Sequence, residues 1–432
     1  MEQYFLTDAL SISKTDDINS DRSHCFFIGD RVFYGSGQMT LILSAIEQES
    51  ELHKIAEKLN ENNLGVTLSY EQVRALINEK LIPARIVSST KNAPFQPSNR
   101  HSYLFFQRTL LNSETVARIG KSFSYLFAPK MAFPLLIVSF LLLLTWLFSL
   151  FGLDVSNIRP PIIFDETLSE SLMFLVLLFI SFMAHEFGHA ASCLRYGVKP
   201  AEIGIALYLM FPVLYCNVTE TWRLPRLARI VVNTGGVYFQ LLFTSIIIFL
   251  QLLTHNEILT LVIFANLGSM LVTLNPFFRF DGYWIYSDFF RIPNLRERSR
   301  VATIDLLNNR MQGFLRVPQK SKIIISPALK YYAIGSFLFF AFFTITVAFG
   351  MYKFSMNLPH LYSSTIYIFH GTLDQNKLFK ILSYVLITLI YLIGCGLSLR
   401  FLFGSLVRGG IMVQRSLSNH SPNTKTMNME KL

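Results

Sequence analysis

Apolar residues in this chain are gathered into blocks. Six of them, at roughly 131–152, 172–195, 230–253, 257–275, 333–352 and 378–401, are each long enough to cross a bilayer. Ahead of the first block the pattern is different. Cys25–Ile28 and Arg31–Tyr34, parted by Gly29-Asp30, predict a short β-hairpin. Met39, Ile42, Leu43 and Ile46, then Leu52, Ile55, Ala56 and Leu59, recur at helical spacing. A third helix opens at Ser69, an N-cap with Gln72 three residues on. It carries Val73, Leu76, Ile77 and Leu81 and stops at Pro83. A hairpin and three helices in about 65 residues make a small α+β, winged-helix-like unit, near the lower limit for an independent core. Residues 1–20 are polar and read as loosely ordered.

The expected fold class is a mostly α polytopic membrane protein of about six transmembrane helices, with that soluble α+β domain at residues 1–90. Residues 91–130 follow as a linker and interfacial helix. In them, 84–100 reads as linker running over from the domain, Tyr103–Leu111 as strand-like or interfacial, and Glu114–Phe127 as an amphipathic surface helix. A four-span membrane core fills 131–290, a cytoplasmic segment 291–332, two further spans 333–405, and a basic tail 406–432. Between the second and third spans, Glu202–Cys216 is too short and interrupted for another span and predicts a membrane-dipping hairpin; a plain packing loop is the other reading.

Composition supports the division. The 432 residues are 52% hydrophobic and only 15% charged, which excludes an ordinary soluble enzyme. A net charge of +10 raises nucleic acid as a partner, but no basic tract interleaved with aromatics appears, and the cations flank the apolar blocks. Arg118, Lys121 and Lys130 precede the first span, while Asp154, Asp165, Glu166 and Glu170 follow it. That asymmetry, carried through all six spans, predicts cytoplasmic N- and C-termini, with 353–377 outside. The four cysteines are scattered, so no disulfide framework is expected, and the first thirty residues lack the apolar region of a signal peptide.

Candidate chemistry sits inside the second apolar block. His185-Glu-Phe-Gly-His189 interrupts an otherwise apolar run, and ionisable groups in a membrane helix mark function by default. On a helix His185 and His189 share one face and can grip one metal ion, while Glu186 points aside, within reach of a water. The fourth block ends in Leu274-Asn-Pro-Phe-Phe-Arg-Phe-Asp-Gly282. Pro276 and Gly282 break the helix there, and the predicted topology delivers Asp281 to the level of the histidines. A carboxylate from a distant helix suits zinc as third ligand; a turn residue before Gly282 is the alternative.

Together, His185–His189, Asn275-Pro276 and Asp281-Gly282 resemble the site-2 protease family of intramembrane zinc metalloproteases. Phe211-Pro-Val-Leu-Tyr215, Thr221-Trp-Arg-Leu-Pro225, and Arg229 followed by Gly235-Gly236 resemble its peptide-processing branch. Many relatives have Gly-Pro and then Asn in the third span, where this chain has Gly235-Gly236 and Gln240. Phe277–Phe280 also separate the Asn-Pro and Asp-Gly pairs. The resemblance implies Zn2+ on His185, His189 and Asp281, Glu186 as general base, Asn275 as a substrate or oxyanion contact, and the 202–216 hairpin as an edge strand for an extended substrate. The N-terminal unit resembles PqqD-like peptide-recognition domains, which implies leader-peptide addition beside Arg31–Tyr34; packing on the membrane part is the other possibility.

The expected protein is therefore a metalloendopeptidase of a bacterial inner membrane. It would cut a small, leader-bearing precursor at the cytoplasmic side, with the lipid bilayer, an ABC exporter or other peptide-biosynthesis proteins as partners. Regulated cleavage of a membrane-bound regulator and a non-catalytic scaffold or exporter component are the alternatives.

Overall fold

A computed structural model describes residues 3–7, 10–14, 24–28, 31–35, 37–61, 69–82, 86–89, 104–151, 168–208, 211–292, 294–296, 298–300, 302–303 and 326–369. The N-terminal unit has more strand than the sequence pattern predicted. Strands β1 (Phe5–Leu6) and β2 (Leu10–Lys14) lie in the stretch expected to be loosely ordered. β2 pairs antiparallel with β3 (His24–Ile28), which pairs in turn with β4 (Arg31–Gly35), giving a three-stranded sheet where a hairpin was expected. Leu-Ser-Ile-Ser-Lys carries the alternation of a strand, but its weak apolar content hid it among polar neighbours. β5 (Val87–Ser88) pairs with β1, so part of the expected linker belongs to this unit.

Helices α1 (Gly37–Gln48), α2 (Leu52–Glu61) and α3 (Tyr70–Leu76), with a π-helical turn at Ile77–Leu81, follow the expected stripes. Ile42, Leu43, Ile55, Leu59, Val73, Ile77 and Leu81 join Phe26 in one core. The capping box forms: Ser69 Oγ accepts from the Gln72 N–H at 3.3 Å, and Gln72 Oε1 accepts from the Ser69 N–H at 2.9 Å.

After β6 (Leu104–Leu111) come α4 (Ser113–Phe123), α5 (Pro129–Phe151) and α6 (Leu168–Arg195). The hairpin expected at 202–216 is present as β7 (Ile203–Tyr208) and β8 (Phe211–Cys216), and β6 adds to it in the order β6-β7-β8. The remaining helices are α7 (Arg226–Thr254), α8 (Glu257–Thr273), α9 (Asp281–Phe289) and α10 (Pro327–Phe369). The fold is mostly helical. Among the described residues three helices, Pro129–Leu150, Ser169–Arg195 and Arg226–Thr254, are long and apolar enough to cross a membrane.

The remaining three expected spans have different outcomes. The fourth forms α8, only 17 residues long, at the short end for a crossing. The fifth, 333–352, lies within α10, which runs on to Phe369 for 43 residues in all, about 65 Å. Polar residues such as Lys353 and Asn357 end an apolar block without ending a helix. The sixth, 378–401, lies outside the described residues, as does the tail 406–432.

α6 and α7 approach backbone to backbone. A Cβ on Gly188 would collide with the carbonyl of Gly235, and one on Gly235 would stand 2.7 Å from Ser192 Oγ. Small residues are what permit such a crossing in an apolar solvent, where packing rather than water drives association. The N-terminal unit reaches this core through Arg223, whose Nη2 donates to Ser11 Oγ at 3.0 Å and whose guanidinium lies 4.4 Å from the Phe27 ring centroid. The close crossing predicts that Gly188→Val pushes α6 from α7 and destabilises the protein by about 1–3 kcal/mol, seen as a lowered Tm in detergent.

Candidate metal centre

The site is built from α6, α7 and α9. On α6, His185, Glu186 and His189 are all buried. Their side chains meet the first residue of α9, Asp281. His185 Nε2 is 3.1 Å from Asp281 Oδ2, His189 Nε2 is 3.2 Å from the same oxygen, and the two Nε2 atoms are 3.2 Å apart. The structure thus brings together the two histidines and the carboxylate that the sequence pattern selected. Asp281 opens a helix, where its charge also complements the dipole, and is not a bare turn residue.

The donor set can be tested for fit to a metal. Ligand bonds of 2.0–2.1 Å to a tetrahedral zinc place neighbouring donors about 3.3 Å apart, close to the observed triangle. Asp281 Oδ2 is buried, and no hydrogen bond of good geometry reaches it among the described residues. His189 Nδ1 lies 2.8 Å from the Val232 carbonyl, to which it can only donate, so in the neutral ring Nε2 keeps a lone pair aimed at the triangle. Three donor atoms converging on one point, one of them a carboxylate oxygen, suit a cation. The residues fit zinc.

The surroundings hold this arrangement. A Cβ on Gly236 would stand 2.5 Å from both Nε2 atoms, so α7 can back the imidazoles only as glycine. A Cβ on Gly282 would run into the Leu274 carbonyl, so the chain folds back tightly enough to return Asp281 only with glycine there. The Glu186 carboxylate faces the backbone N–H of Cys216, at the end of β8.

Asn275 is used locally: its Oδ1 accepts from the Phe277 N–H at 2.8 Å, an Asx turn that leaves the amide donors for other partners. The intervening Phe277–Phe280 are anchored by aromatic contacts. Phe277 and Phe278 pack on Phe339 with centroids 5.0 and 5.2 Å apart, and Phe280 lies 4.8 Å from Tyr208. Tyr332 Oη donates to the Pro276 carbonyl at 2.9 Å.

Sequence reasoning missed one residue that places the carboxylate. Asp288 lies seven residues beyond Asp281, on the same face of α9. It accepts from Arg229 Nε at 2.9 Å and Nη2 at 2.6 Å, and from Asn233 Nδ2 at 3.3 Å. Arg229 also donates to the Leu224 carbonyl at 3.0 Å. The i, i+7 spacing of two acids in an aromatic segment was the available signal. The sequence offered no way to tell that Arg229 was its partner.

No protein-family model matches the chain, and no solved structure matches it. A curated relative from Bacillus subtilis (strain 168), named "Putative peptide zinc metalloprotease protein YydH", is 28% identical over 134 residues. That alignment takes in 31% of this chain and 52% of the relative, so the chain spans about half the length of the curated protein it matches.

The buried pair predicts a specific stability pattern. Asp288→Ala strands the Arg229 charge and costs about 3–5 kcal/mol. The double variant Arg229→Met/Asp288→Leu, which removes both charges, loses much less, as denaturant unfolding of the three proteins will show.

Proposed function

We propose that this chain is an intramembrane zinc metalloprotease of the site-2 protease type. Its substrate would be a small, ribosomally made peptide precursor bearing a leader, cut at the cytoplasmic side of the membrane. The observation that carries the reading is the triangle of His185, His189 and Asp281 donor atoms at 3.1–3.2 Å, with Glu186 beside it on the same helix. The relative's name supports peptide hydrolysis with zinc.

His185, His189 and Asp281 would hold the metal, and Val232 fixes the tautomer and tilt of His189. Zinc so held supplies Lewis acidity, which polarises a peptide carbonyl and makes water acidic near neutral pH. Glu186 accepts the proton of the attacking water and returns it to the leaving amine as the C–N bond breaks. Asn275, its oxygen engaged in the Asx turn, has amide donors for the substrate backbone or the developing oxyanion. Helical substrates must unwind to expose a peptide bond, so helix-weakening residues are expected near the cut.

The N-terminal unit supports the precursor reading by its placement. β4, an outer strand of its sheet, lies beside the turn Thr219–Arg223. That turn follows directly from β8, whose last residue faces Glu186. A leader added as a strand on β4 would thus enter along a path that ends at the general base.

Two outcomes are expected. Purified Glu186→Gln keeps zinc at the wild-type stoichiometry, measured by elemental analysis, while cleavage of a leader-bearing precursor falls about 10²–10⁴-fold. Zinc absent from both proteins would overturn the proposal. Removing residues 1–90 abolishes precursor binding but spares cleavage of a short peptide spanning the cut; unchanged precursor binding would favour regulated cleavage of a membrane-bound regulator.

A further inference from the structure

Asp281 is the first residue of α9, so where it stands depends on how that helix starts. Phe280 occupies the N-cap, and its phenyl ring offers no oxygen to the open backbone N–H groups of the first turn. The start of α9 is fixed instead by contacts from other elements. The turn before it is pinned at its beginning by the Asn275 side chain and by Tyr332 on the Pro276 carbonyl. At its end, beside the carboxylate, it meets Tyr208.

Tyr208 Oη accepts from the Arg279 N–H at 3.2 Å, and the Tyr208 ring centroid lies 4.8 Å from that of Phe280. The two residues immediately before Asp281 are thus both held by one side chain. Tyr208 is only 6% exposed, so solvent has little access to replace that bond to a backbone donor. Tyr208 is itself well anchored. It ends β7, the central strand, where it pairs with Leu104 on β6 and with Phe211 on β8. At the other end of the strand, Ile203 is buried with Ala190, the residue after His189. The six residues of β7 reach about 17 Å, from the helix that carries the histidines to the turn that carries the carboxylate.

We infer that Tyr208 is a positioning residue for the third metal ligand. Through the Arg279 N–H and the Phe280 ring it sets where Asp281 stands relative to His185 and His189. The inference rests on the metal centre proposed above. Such a centre needs its donors held to within about 0.5 Å. The Arg229–Asp288 pair grips α9 two turns further on and so fixes the helix at one point. Tyr208 supplies a second point, at the ligand's own end.

The test is zinc affinity, measured on the full chain in detergent by competition with a chromophoric chelator. Four proteins are compared: wild type, Tyr208→Phe, Asp281→Ala and the double variant. Tyr208→Phe keeps the ring and removes the hydroxyl that receives the Arg279 N–H. It should weaken zinc binding about 10–100-fold, the usual cost of losing a group that orients a ligand. With Asp281 already replaced, the same change should cost nothing further, because no carboxylate is left to place. Unchanged affinity in Tyr208→Phe overturns the inference, whatever happens to the Tm of the zinc-free protein. An equal loss in both backgrounds also overturns it, since that would mean general loosening. A wild type that binds no zinc would remove this inference together with the function proposed above. A wild type that binds zinc but cleaves no peptide would remove that function and leave Tyr208 its role.

Discussion

The contact between α6 and α7 is the constraint on which the rest of this structure depends. At Gly188 and Gly235 the two helices meet backbone to backbone, and at Gly236 only the two imidazoles of α6 lie against α7. Only at that separation can the Val232 carbonyl receive His189 Nδ1, and only there do the imidazoles lie over Gly236 without collision. In lipid, helices gain nothing from hiding apolar area from one another, so intimate packing must supply the association. The same contact that stabilises the bundle therefore also sets the geometry of the ligands.

A second requirement follows, because two of the three donors ride on one helix and the third arrives from elsewhere. Asp281 heads a nine-residue helix that has little of its own to hold it in place. The Arg229–Asp288 pair grips that helix two turns further along, on the α7 segment that begins three residues before Val232. α7 thus acts as a template, orienting one histidine, backing both, and holding the helix that brings the carboxylate. A buried ion pair seldom adds net stability over apolar packing, because desolvation offsets attraction. Its presence here is better understood as fixing position.

Much of this was legible in the sequence, and what was not has physical causes. His185, Glu186 and His189 stood out because charge inside an apolar block is expensive, and Asp281 because Pro276 and Gly282 force the chain to turn back. Local patterns were also readable: the capping box at Ser69 formed, and the interrupted 202–216 stretch became β7 and β8. The rest depended on partners remote in sequence. β2 is a strand because β3 lies beside it, and a five-residue run with only Leu10 and Ile12 apolar does not announce that. Asp288 carries no local sign of its partner, because Arg229 lies 59 residues away in the chain. That residues 353–369 continue a helix was not legible either, because hydropathy reports solvent preference whereas helix continuity depends on the backbone.

Two departures from the resembled family lie against the ligands. Proline after Gly235 would bring a Cβ to the position of Gly236, where both histidine Nε2 atoms stand 2.5 Å away. Glycine there lets α7 come closer than proline would, so the substitution changes helix spacing as well as backbone freedom. The four residues Phe277–Phe280 act at the other end of the site. Their rings reach Phe339 on α10 and Tyr208 on β7, and Tyr208 Oη accepts from the Arg279 N–H at 3.2 Å. The longer turn therefore ties the segment carrying Asp281 to the end of the sheet's central strand and to the long helix. One departure tightens the histidine side of the triangle and the other anchors the carboxylate side, so each restrains a ligand that the other leaves free to move.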